Sequence, residues 1–134
     1  MSKNKKIRWL SRSADLLPHY ALCLDQKDFD YTLKKMGVGL VPMLASSQAN
    51  ATAHWFVSNG GKECVIVALR PDHTKHSLTQ IFGLLTHEAV HVWQFYCESI
   101  GEKTPGKEQE AYSIQHISQS LWDAYVEMTG RKKL

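Results

Sequence analysis

The sequence predicts an α+β domain, and three observations predict it. Two β-prone apolar runs, Thr52–Val57 and Glu63–Leu69, flank Ser58-Asn59-Gly60-Gly61, whose Asn-Gly step suits the positive backbone dihedrals of a tight hairpin turn. Ser77 and Gln80 form an S-x-x-Q capping-box pattern at the head of a long run with helical spacing. A second long helical run follows the turn Gly101–Gly106 and closes at Gly130. The expected order is strand, helix, hairpin, helix, helix, with the helices packed to one side of a small, mostly antiparallel sheet.

Along the chain, the first eighteen residues read as irregular or weakly helical up to Pro18. His19–Leu24 is a short apolar run of strand character. Asp25 then caps a helix, with Phe29, Leu33 and Met36 as its apolar stripe and Gly37 as its stop. Residues 38–50 read as loop. In the hairpin the second strand is apolar almost throughout, which predicts a position interior to the sheet. The next helix is expected from about Leu78 to about Glu98. Its apolar residues reach nearly every side, which predicts a central helix buried on most faces. The last helix, from about Lys107 to about Met128, repeats Ala111, Ile114, Ile117, Leu121, Trp122 and Tyr125 at helical spacing and should pack on the central one.

With 134 residues the chain reads as one domain, 1–134, with 1–18 and 129–134 peripheral or frayed. The hydrophobic fraction of 43% and charged fraction of 22% are those of a globular protein. A net charge of +3, carried largely by Lys3, Lys5, Lys6, Arg8, Arg131, Lys132 and Lys133 at the two ends, argues against a nucleic-acid partner. No apolar run approaches the length of a membrane span, and no signal peptide is visible. The three cysteines, Cys23, Cys64 and Cys97, are odd in number and never spaced as a pair, which fits packing residues in a reduced, cytoplasmic setting.

Chemistry concentrates in Thr86-His87-Glu88-Ala89-Val90-His91. Residues four apart share a helix face, so His87 and His91 can present two imidazole nitrogens to one Zn2+. Glu88 lies about 100° around the helix from His87. It is placed to work a water rather than to join the ion, which is the arrangement of metal-assisted hydrolysis with Glu88 as general base. Chance alone produces such a motif in roughly one chain in fifty of this length. Its position in the most apolar helix weighs against chance, because two imidazoles and a carboxylate buried without partners cost several kcal/mol. A catalytic zinc takes a third protein ligand, and the return helix offers Glu110 and Glu108. Length matching favours Glu110. Glu108 stays open, with His116 as a further alternative.

His87-Glu88-Ala89-Val90-His91 followed by a glutamate on the next helix resembles the gluzincin group of zinc metallopeptidases. The longer stretches HEAVHVWQ and EQEAYSIQ are similar to small zincin-like proteins encoded by bacteriophages and prophages. The resemblance covers residues 77–118. It implies a zincin-like fold in which a sheet edge borders the cleft above the active helix. It also implies His87 and His91 as zinc ligands, Glu88 as base, and Glu110 or Glu108 as third ligand. Many gluzincins carry an aspartate four residues after that glutamate; here the position holds Ile114 or Tyr112. Tyr112, His116, His54 and Tyr96 are the candidates for stabilising a transition state. His54, on the first hairpin strand, is a candidate for the cleft lining; His73 and His76 are expected to be solvent-exposed in their polar loop, and Trp93 and Trp122 to be core.

These readings predict a metallopeptidase acting on a peptide or protein substrate bound by strand addition. The competing expectation is a non-catalytic protein-binding module that keeps the zincin scaffold with a structural or vestigial zinc. Substrate and oligomeric state are not legible.

Overall fold

Six consecutive residues, Cys64 to Leu69, are buried, so the strand that carries them is covered on both faces. In the computed structural model, which describes residues 6–10 and 19–131, this strand, β4 (Glu63–Leu69), lies inside a four-stranded sheet. The others are β1 (Ile7–Trp9), β2 (His19–Cys23) and β3 (Ala51–Val57), in the order β1-β2-β4-β3. The hairpin pairs β3 with β4 antiparallel, from Ala51↔Leu69 to Val57↔Glu63. β1 runs antiparallel to β2, but β2 runs parallel to β4. The sheet is therefore mixed. Strand β1 lies where an irregular or weakly helical start was expected; the remainder of that start, residues 1–5 and 11–18, lies outside the described residues, as do 132–134.

A parallel pair cannot be joined by a tight turn. The connection from β2 runs through α1 (Gln26–Met36) before the hairpin returns. Asp25 caps α1 by accepting the Asp28 amide at 2.9 Å. Gly37 ends it at φ 74°, and any Cβ there would fall 2.5 Å from the Asn59 side chain, so the position requires glycine twice over.

The helices do not all pack to one side, contrary to the expectation. Phe29 and Leu33 of α1, with Met43, cover Cys23, Ile66 and Ala68 on one face of the sheet. On the other face α2 (Leu78–Ser99) and α3 (Lys107–Thr129) cover Tyr20, Leu22, Val65 and Val67. The physical reason is the unbroken apolar run of β4: neighbouring residues point to opposite faces, so both faces need a cover. The capping box at Ser77 forms as expected. The central helix α2 is not buried all round. Ile81, Leu85, Glu88, Ala89, Val92 and Trp93 face the interior, whereas His87 is exposed.

The end of α3 is fastened. Arg131 donates to the Tyr125 hydroxyl at 2.7 Å and to the His76 carbonyl at 2.9 Å. The Tyr125 hydroxyl lies 2.8 Å from His73 Nδ1. His73 is thus buried, not solvent-exposed, and Arg131 is not a frayed end.

Candidate metal centre

His87, Glu88 and His91 all sit on α2, and the helical period separates their directions. The rings of His87 and His91 lie with centroids 5.0 Å apart at 72°. Zinc–nitrogen bonds of about 2.0–2.1 Å at a tetrahedral angle place the centroids of two imidazoles about 5 Å apart, so this spacing fits one ion. His91 Nδ1 meets Gln94 Oε1 at 2.9 Å. An amide oxygen only accepts, so Nδ1 carries the proton and Nε2 is left with its lone pair. Gln94 is three residues on, a helical neighbour that the spacing alone marks as the orienting partner.

Glu88 turns inward and is only 5% exposed. Burial holds its carboxyl above the ordinary carboxylate range, while the two imidazoles and a hydrogen bond from the Ala53 backbone amide act the other way. That amide is available because of the ladder. Arg70 N donates to Asn50 O at 3.1 Å and Ser58 N to Lys62 O at 2.8 Å, so the even-numbered residues of β3 face β4 with their backbone groups. The odd-numbered ones, Ala51, Ala53, Trp55 and Val57, turn theirs to the free edge of the sheet.

An open cleft of ≈ 500 Å³ lies between this edge and α2. Its lining includes His87, Glu88, His76, Gln80 and Asn50. His76 was expected to be solvent-exposed; it is half-buried in the cleft wall, its carbonyl tied to Arg131.

Other candidates are elsewhere. Glu110 Oε2 accepts the indole Nε1 of Trp93 at 2.9 Å. Trp93 follows His91 by two residues, about 200° around the helix. Glu110 therefore sits on the α3 side of α2, beside Cys97 and Glu102, where those carboxylates add to burial in raising the Cys97 thiol. Glu108 and His116 are exposed on α3, and Tyr112 is 69% exposed. Tyr96 packs against Trp93. His54 does not line the cleft. As an even-numbered residue of β3 it points to the α1 face, where Nε2 donates to Met43 O at 2.7 Å and the ring stacks on Phe56. Trp93 is core, as expected, and Trp122 is half-buried against Phe82 and Tyr125. Among the described residues no group of three or more His, Cys, Asp or Glu side chains is arranged to hold a metal ion.

Comparison with protein-family models, with curated proteins and with solved structures finds no match to this chain. Among the described residues no helix is long and apolar enough to cross a membrane.

Proposed function

We propose that the chain is a zinc-dependent hydrolase of zincin-like build, acting on peptide bonds, with His87 and His91 as zinc ligands and Glu88 as general base. The observation that carries the reading is the pair of imidazoles at 5.0 Å with a buried carboxylate on the residue between them, beneath a free sheet edge. Zinc, when bound, supplies a water of lowered pKa and polarises the carbonyl. The chain does the rest. Gln94 holds His91 in the tautomer that offers Nε2. Glu88 takes the proton of the attacking water and returns it to the leaving amine. The outward backbone groups of Ala51, Trp55 and Val57 give an extended peptide the donors and acceptors of an added strand.

The spacing of the two imidazoles is compatible with one ion, and the acid from α3 does not join them. Glu110, favoured over Glu108 by length matching, would have to release Trp93 to do so. That bond also favours the second reading, a protein-binding module in which zinc is structural or vestigial. Three free, buried cysteines suit a reducing, cytoplasmic compartment under either reading.

Elemental analysis tests the site. One zinc per chain, lost on His91→Ala, is expected; purified protein that takes up no zinc removes the metal from the reading. Cleavage retained by Glu88→Gln with its zinc in place would leave only the binding module.

A further inference from the structure

We infer that the stacked pair Trp55–Phe95, next to this cleft along the same strand and helix, is a side-chain-recognising platform, and that the substrate is an extended segment carrying a large apolar or aromatic side chain there. The inference rests on the hydrolase reading and names its substrate class.

Position comes first. Phe95 stands one turn beyond His91, so His87, His91 and Phe95 form a stripe at i, i+4 and i+8. Trp55 is two residues beyond Ala53, whose amide favours the ionised form of Glu88. Strand and helix run in the same direction here: Ala51 borders the cleft with Leu84 and His87, and Trp55 stacks on Phe95 at 6.5 Å and 14°. Asn50, His76 and Gln80 line the cleft together with His87 and Glu88. His91 and the ring pair follow beyond it along the same helix and strand.

The same strand supplies the reason for an extended occupant. Ala51, Ala53 and Trp55 send their side chains toward α2 and their backbone groups to the free edge. Trp55 is the first bulky residue, and although it stacks on Phe95 it is still 45% exposed. Nearly half of the indole therefore remains accessible to a ligand. Burying a large apolar side chain against such a platform is favourable by area and by ring geometry. Two strand residues span about 7 Å, so a peptide paired along β3 brings the recognised side chain within about two residues of the bond over Glu88. Hydrolysis there adds water across the amide, leaving a carboxylate on one fragment and an amine on the other.

The test incubates the zinc-loaded full chain with a proteome-derived peptide library and reads cleavage sites by mass spectrometry. Expected is a preference of about tenfold or more for Phe, Tyr, Trp, Leu or Met at one fixed position within two residues of the cut. Trp55→Ala should erase it, and Phe95→Leu should weaken it. Tyr31→Ala, an exposed aromatic on α1 across the sheet, should keep it. Circular dichroism confirms that each variant is folded. Cleavage without the preference, or a preference that survives Trp55→Ala, overturns the inference and leaves the hydrolase standing. Absence of any cleavage that depends on Glu88 removes the hydrolase reading and the inference with it.

Discussion

The backbone amide of Ala53 faces the carboxylate of Glu88 and favours its ionised form, so the helix that carries the motif is coupled to the edge strand through the motif itself. Ala53 has this amide to give because the β3–β4 ladder does not use it. Ala53→Pro should therefore keep the hairpin yet leave Glu88 without its backbone donor. A buried acceptor deprived of its partner costs about 1–3 kcal/mol. Urea unfolding should show a loss of that order with strand content preserved. A loss near zero would mean that Glu88 does not depend on the edge strand.

Glu88→Gln separates chemistry from scaffold. The side chain keeps its size, and its amide oxygen still accepts from Ala53. Zinc content should match the wild type, because Glu88 is not among the ligands. Hydrolysis should fall by about 10²–10⁴-fold, the usual contribution of a positioned base. Metal content and peptide turnover are measured on the same preparation. A variant that loses both together would make Glu88 a structural residue.

Glu110 and Trp93 test the third ligand. Trp93→Phe leaves the carboxylate without its indole donor and opens a small space, at a cost of about 2–3 kcal/mol. Glu110→Gln keeps an accepting oxygen and should change stability by no more than about 1 kcal/mol. If Glu110 completes the centre, zinc must draw it off Trp93. Indole emission should then respond to zinc in the wild type and not in Trp93→Phe, and Glu110→Gln should weaken zinc at least about tenfold. Zinc bound with no change in emission would assign the third position to another group.

Much of the fold was legible because its signals are local. The Ser77 and Asp25 caps and the Gly37 and Gly130 stops each act within a few residues, and each forms. The hairpin turn forms as well, but its positive φ of 82° falls on Gly61 rather than on the Asn59-Gly60 step. The placement of α1 was not read, although the unbroken apolar run of β4 asks for two covers. The parallel pairing of β2 with β4 has no local signature, since it depends on where a crossover lands. At the site, His87, Glu88 and His91 are one helix and their mutual geometry follows from its period. The other groups come from distant segments. His76 and the Ala53 amide reach the cleft through tertiary packing, His54 leaves it by strand parity, and Glu110 leaves it because Trp93 lies across α2 from His91.

Acid should weaken the fold through its buried histidines. His73 is buried, and its Nδ1 accepts the Tyr125 hydroxyl proton, because Arg131 donates to the same oxygen. Burial lowers its pKa from the usual 6.5; the charges of Arg131 and Lys6 and the nearby His76 add to this, and Asp72 opposes it. His54 is lowered as well by burial, and the more exposed His19 by partial desolvation and the Lys62 charge. A depressed folded-state pKa means that the unfolded chain binds protons more readily near neutrality. The stabilisation is complete above about pH 7 and is lost as pH falls from 6.5 through the folded-state value. Thermal melts should show a lower Tm at pH 5.5 than at pH 7.5. Tyr125→Phe removes the hydroxyl that joins His73 to Arg131 and should cost about 1–3 kcal/mol at pH 7.5. His73→Gln keeps an accepting oxygen but cannot titrate, so its Tm should fall less between the two pH values. An acid-induced fall in His73→Gln equal to that of the wild type would place the sensitivity on His54 and His19 instead.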